Sequence, residues 1–298
     1  MSRLNDVKVW TAIVTPLKKG TAELDFSAFA ELLHRQESAG NGVIVLGSTG
    51  EGLALALEQK KSLVQAAMKL KLSVPVMAGV GGFQLPDCQE WIRWCESQGV
   101  EGFLLVTPIY AKPGAQGQQR WFTALLETAT RPCMVYNVPS RAGVKLNTAT
   151  LKAISAHRNM WAVKESSGST SDFLAFRAAA PGLRFFCGDD GLMPYFASAG
   201  AEGLVSVAAN VWPEATRLYA ELSVNGKHEG LMPLWHDSSE ALFSASNPVP
   251  VKALLAHKGW IASPDTLPPL SSADMQKLEE LVEADKKITA WLEARRSK

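Results

Sequence analysis

Lys164 directly follows the apolar run Met160-Trp-Ala-Val163. By itself a lysine in that place is a surface residue, its stem laid on apolar neighbours and its ammonium in water. At the end of a strand inside a shared mouth its chemistry differs. Burial disfavours an ammonium and leaves a neutral amine. Such an amine attacks a ketone carbonyl and forms an imine. The protonated imine draws electrons from the neighbouring carbon, acidifies it, and so yields an enamine nucleophile. This sequence of steps needs a proton carrier. Tyr136 is a candidate, and Ser48 and Tyr110 could relay protons to it. A phenol has an ordinary pKa of about 10 and needs neighbouring hydroxyls to tune it. Taken alone, either tyrosine is a packing residue.

A second group of residues suits an anion. The segment Gly47-Ser-Thr-Gly-Glu-Gly52 offers backbone N–H groups and two hydroxyls. It lacks the Gly-Lys-[Ser/Thr] ending of a nucleotide loop and the G-x-G-x-x-G spacing, so a carboxylate fits it better than a phosphate. Arg141 and the run Gly188-Asp-Asp190 are further polar residues that follow apolar runs.

These residues need elements to position them. Apolar runs at 9–14, 42–46, 74–78, 102–106, 133–136, 160–163, 184–187 and 203–207 read as strands covered on both sides. Helical periodicity fills the gaps at 26–39, 58–70, 86–98, 117–129, 147–156, 171–179 and 192–199. The alternation is that of a (β/α)₈ barrel or a doubly wound sheet. The chemistry-bearing residues follow strands two, four, five, six and seven, and Ser206 lies on strand eight. The opposite strand ends carry duller residues such as Ser73 and Asn159. One polar face favours the closed barrel, a TIM barrel with a single active mouth. After Asn210 the pattern is purely helical, at 212–223, 231–243, 251–257 and 273–295. The chain therefore divides into a catalytic barrel, 1–224, and a C-terminal helical region, 225–298. The prolines of Asn247-Pro-Val-Pro250 mark a bend that should block a helix from starting.

Composition narrows the classes. The chain has 298 residues, 47% of them hydrophobic, and a formal net charge of +1. That length suits one large barrel with an appendage, and the balanced charge gives no footprint for nucleic acid or an anionic membrane. The first ten residues, MSRLNDVKVW, lack an apolar signal core, which predicts a cytoplasmic protein. Cys88, Cys95, Cys133 and Cys187 form no C-x-x-C pair, and Cys88 and Cys95 should share the buried face of one helix. The histidines show no ligand spacing, so no metal is expected.

Taken jointly, Gly47-Ser-Thr-Gly-Glu51, Tyr136-Asn-Val-Pro-Ser-Arg-Ala-Gly143, Val163-Lys-Glu165 and Gly188-Asp-Asp190 resemble the dihydrodipicolinate synthase / N-acetylneuraminate lyase family. The resemblance runs from Ala12 to about Gly259. It implies a barrel with a C-terminal helical domain, assembled as a homotetramer, a dimer of dimers. It implies pyruvate held as an imine on Lys164, with Tyr136 as general acid and base. Ser48 would link Tyr136 to Tyr110 of a neighbouring subunit. Ser48 and Thr49 would hold the pyruvate carboxylate, helped by the backbone near Val205, and Gly188 would line the substrate site. No cofactor is implied beyond the covalent lysine.

Within that family three features point to the synthase branch. Arg141 suits the carboxylate of L-aspartate 4-semialdehyde through paired hydrogen bonds. Gly188-Asp-Asp190 and Asn247-Pro-Val-Pro-Val-Lys252 match synthase segments. Ser48 stands where synthases mostly carry threonine, which keeps the hydroxyl and loses a methyl. The alternatives are an aldolase that cleaves a sugar-derived 2-keto acid and a relative that binds a keto acid without catalysis. Positions that hold a feedback lysine in many bacterial synthases are here Leu57, Lys60, Phe83 and Ile109, with only Asp87 roughly kept. A bound lysine would lose partners there, at about 1–3 kcal/mol for each unpaired buried group. Lysine feedback is therefore expected to be absent.

Overall fold

Strands buried on both faces must be largely apolar on both faces, and the observed strands are, with polar residues such as Asn137, Lys164, Glu165 and Ser206 gathered at their C-terminal ends. In the computed structural model, which describes residues 3–296, eight parallel strands close into a barrel in chain order. They are β1 (Val9–Ala12), β2 (Gly42–Val45), β3 (Val76–Val80), β4 (Gly102–Val106), β5 (Cys133–Asn137), β6 (Met160–Glu165), β7 (Arg184–Cys187) and β8 (Gly203–Ser206). Val205 opposite Trp10 closes the ring between β8 and β1. Large side chains from alternate positions fill the barrel, among them Trp10, Ile44, Met77, Leu104, Met134 and Phe186. The intervening residues, such as Val43, Val45, Phe103 and Phe185, join the layer between strands and helices. This is a packed core rather than a pore.

Helices α1 (Phe26–Ala39), α2 (Leu57–Lys69), α3 (Leu85–Ser97) and α4 (Ala115–Thr128) follow the first four strands. After β5 come α5 (Pro139–Ala142) and α6 (Thr148–Ile154), then α7 (Thr170–Ala179), α8 (Met193–Ser198) and α9 (Pro213–Val224). Their starts are locally encoded. The Asp25 carboxylate accepts from Ala28 N–H at 3.0 Å at the start of α1, and Gly40 ends that helix at φ 71°. Cys88, Ile92 and Cys95 do share the buried face of α3.

The remaining helices are α10 (Met232–Leu242), α11 (Val249–His257) and α12 (Leu278–Arg296). Trp235 of α10 joins them to the barrel. It stacks on Tyr219 of α9 with ring centroids 4.0 Å apart and meets Trp291 of α12 edge-on at 5.5 Å. The expected division after residue 224 falls in the loop that follows α9. Its outermost residues, 1–2 and 297–298, lie outside the described ones. No helix among the described residues is long and apolar enough to cross a membrane.

Several expectations need correction. The third strand runs 76–80 rather than 74–78, because Pro75 has no N–H to give a ladder and its carbonyl accepts from Val43 N–H instead. The sixth strand continues through Lys164 and Glu165, so the lysine lies within the ladder. The prolines of 247–250 do not block a helix. Pro250 lies in the first turn of α11, where a missing N–H costs nothing. The last helix starts at Leu278, since Ser271 caps a separate short turn at 272–274.

Candidate active site

Register brings the phenol and the amine together. Tyr136 of β5 is directly paired with Lys164 of β6. Lys164 Nζ lies 4.1 Å from the centroid of the Tyr136 ring, and only 5% of the residue is exposed. On its other side Lys164 pairs with Phe186 of β7. Gly188 makes room for the lysine stem. A Cβ there would lie 2.7 Å from Lys164 Cε and would collide with Ser166 Oγ. That serine oxygen is buried without a hydrogen-bond partner among the described residues.

Carboxylates beside the lysine are held by donors from the strand ends. Glu165 Oε2 accepts from Asn137 Nδ2 at 2.7 Å, and Oε1 accepts from Ser167 N–H at 2.7 Å. Asn137 Oδ1 in turn accepts from Leu146 N–H at 2.8 Å. Burial pushes the Glu165 carboxyl up despite those donors. Burial also pushes Asp189 up, to about 6, with the nearby Lys164 charge pulling the other way. Asp190 is fully buried and accepts from the Ser206 hydroxyl, from Val207 N–H at 2.9 Å and from Ala208 N–H at 3.2 Å. Its carboxyl is likewise raised by burial.

The loop after β2 is tightly shaped. Gly52 must be glycine, because a Cβ there would strike the Leu46 carbonyl. Glu51 has φ 54°, in the left-handed region, and the Thr15 hydroxyl donates to Gly50 O at 2.7 Å. Asn247 Nδ2, from the segment before α11, donates to Thr49 Oγ1 at 2.9 Å. The Asn247 carbonyl accepts from Arg141 Nη2 at 3.4 Å, so one residue spans the loop and the short helix α5. Beneath the loop, Lys252 Nζ is 2.8 Å from Glu51 Oε1, and Leu267 N–H donates to Oε2 at 2.6 Å.

The sequence-predicted residues thus fall into three groups. Lys164, Tyr136 and Gly188 are in one place, and Val205 lines the same barrel interior as Tyr136. Thr49 and Arg141 are linked through Asn247 at the mouth. Ser48 is exposed, and Tyr110 is 87% exposed at φ 65°. Sequence reasoning missed roles for Asn137, Glu165, Ser166, Asn247 and the Glu51–Lys252 pair. The motifs contain most of these residues, but pattern alone does not show which of them face one another. Among the described residues no group of three or more His, Cys, Asp and Glu could hold a metal ion.

A buried amine at a barrel mouth, against a phenol, is equipped for imine chemistry. The sequence model of the dihydrodipicolinate synthetase family matches residues 6–288. The chain belongs to that family. It is 43% identical over 285 residues to the 4-hydroxy-tetrahydrodipicolinate synthase of Wolbachia pipientis wMel, covering 96% of this chain and 97% of that one. The enzyme of the same name from Francisella tularensis subsp. novicida is 43% identical over 287 residues, with 95% and 96% covered. Among solved structures, the 4-hydroxy-tetrahydrodipicolinate synthase of Methylacidiphilum fumariolicum SolV superposes with a TM-score of 0.90 at 31% identity, over 97% of this chain and 98% of that chain. Members of the dihydrodipicolinate synthetase family thus match this chain along nearly all its length, including the C-terminal helices that hold the Gly-rich loop.

Proposed function

We propose that this chain condenses pyruvate with L-aspartate 4-semialdehyde to 4-hydroxy-tetrahydrodipicolinate, a step toward diaminopimelate and lysine. The observation that carries the reading is the paired placement of buried Lys164 and Tyr136, in a chain 43% identical to a synthase of that name. Lys164 Nζ attacks C2 of pyruvate, and loss of water leaves an imine. Its protonated form lets a methyl proton depart, and the resulting enamine carbon bonds to the aldehyde carbon of the second substrate, whose oxygen takes a proton and becomes the hydroxyl. The amino nitrogen of the semialdehyde then attacks C2 and expels the Lys164 amine, which closes the ring and frees the lysine. Tyr136 carries the protons, relayed through Ser48 and through Tyr110 of a second copy in a homotetramer. Thr49, Ser48 and backbone near Gly188 and Val205 receive the keto acid, and Arg141 receives the carboxylate of the semialdehyde. These groups supply every proton and bond the steps need, without a metal or organic cofactor. The Leu57 and Phe83 side chains are exposed and apolar where a feedback lysine would need polar partners, so lysine regulation is absent from this reading.

Two assays test it. Borohydride reduction with pyruvate should add a pyruvate-derived mass at Lys164, and Lys164→Ala should abolish the adduct. An unchanged mass in the unaltered chain would support a binding-only relative. Condensation of pyruvate with aspartate semialdehyde should proceed in a coupled assay. Pyruvate release from 2-keto-3-deoxygluconate or N-acetylneuraminate without condensation would reverse the choice of second substrate. Activity should persist in millimolar lysine, and strong inhibition below that would sink the claim about feedback.

A further inference from the structure

Three buried links tie the C-terminal region to the Gly-rich loop. The Glu51 and Lys252 side chains, 201 residues apart in sequence, form an ion pair at 2.8 Å and are only 2% and 0% exposed. The second Glu51 oxygen is held by Leu267 N–H, so the carboxylate is gripped from two points after β8. Glu51 itself has φ 54°, a backbone state that disfavours a non-glycine residue and persists only when its surroundings impose it. Two residues earlier, Thr49 accepts from Asn247.

A buried ion pair adds little net stability over a well-packed apolar pair of the same volume, because desolvation offsets the attraction. What such a pair does supply is a fixed direction and distance between two elements. Here those elements are α11 and the Gly-rich loop after β2 that carries Ser48 and Thr49. We propose that Lys252 is a positioning residue for the keto-acid carboxylate: through Glu51 it locks the loop of residues 47–52 so that Thr49 and the loop amides are set for binding. The proposal rests on the reading of that loop as the carboxylate subsite. It assigns the C-terminal helices a part in substrate affinity.

The test compares Lys252→Met, Glu51→Gln and the double variant with the unaltered chain. Three quantities are read: the pyruvate concentration that half-saturates borohydride trapping on Lys164, the trapping rate at saturation, and the melting temperature. Trapping needs no second substrate. Lys252→Met should raise the half-saturating concentration by about tenfold or more, since a displaced binding group acts chiefly on the encounter it orients. The saturated rate should change by less than about threefold, because Lys164 and Tyr136 stand on other strands. The double variant leaves no unpaired buried charge, so it should regain most of the lost melting temperature while keeping the raised half-saturation. If Lys252→Met does not fold, Glu51→Gln and the double variant decide by the same readouts. A double variant with normal melting and half-saturation within about twofold of the unaltered chain overturns the proposal. Absence of trapping in the unaltered chain would overturn the Schiff-base reading as well, which a normal adduct there rules out.

Discussion

Gly188 is small because Lys164 occupies the space beside it. Replacing it with alanine puts a methyl 2.7 Å from Lys164 Cε and into Ser166 Oγ. The methyl crowds the Lys164 stem together with the Ser166 hydroxyl, so the amine is displaced, and kcat/KM should fall by about 100-fold while the fold survives. A Gly188→Ala enzyme of normal activity would show that the lysine has another route to its substrate. Next to it, Asp189 allows a prediction with a definite sign. Its carboxyl is raised by burial from the ordinary 3.8 to about 6, so between those values the folded chain holds a proton that the unfolded chain has lost. Raising pH through that window therefore costs stability at this site. Asp189→Asn removes the cost and can still accept from Gly168 N–H. The variant should be more stable than the parent at pH 7–8, by on the order of 1–2 kcal/mol, and the gain should vanish below about pH 4. Thermal melts across that range measure it. A gain that persists unchanged in acid would place the effect in packing rather than in ionisation.

At the scale of elements, the ends of β5 and β6 are clasped by side chains rather than by the ladder alone. Asn137 donates to Glu165 and accepts from Leu146, which fixes both strand ends at the point where Tyr136 and Lys164 protrude. Asn137→Ala leaves the buried carboxylate with one donor fewer and should cost about 1–3 kcal/mol at neutral pH. Losing that donor lifts the already raised Glu165 carboxyl further. The deficit is therefore largest where the carboxylate is ionised and shrinks as acid protonates it. Equal deficits at pH 8 and pH 4 would contradict this. The strands themselves were legible in the sequence because each is an apolar run bounded by polar residues. Their limits were less so. Pro75 moves the start of β3, and Lys164 and Glu165 extend β6 although their charge marks them as its end. The four-residue helix that carries Arg141 is shorter than two turns, so it leaves no periodicity to read. The motif residues Lys164, Tyr136 and Gly188 converge as their positions after successive strands predict. The Glu51–Lys252 pair was out of reach, since nothing local links residues so far apart.

For the whole molecule, the exposure of Tyr110 sets the test of the proposed relay between copies. Tyr110 is 87% exposed and held at φ 65°, an uncommon state for a bulky residue. Exposed Leu53, Leu57 and Phe83 add apolar surface in the loops and helix that follow β2 and β3. An isologous contact between two copies would bury such residues and exchange the tyrosines reciprocally. Mixed assembly separates this from a relay within one chain. Tyr110→Phe and Lys164→Ala chains, each inactive alone, can be unfolded, mixed and refolded together. If the tyrosine acts across the contact, half of the pairs are mixed, and each has one site with an intact lysine and an intact tyrosine. The mixture should then recover about a quarter of the activity of the unaltered protein. If Tyr110 serves its own chain, every site lacks one of the two groups and no activity returns, whatever the oligomer.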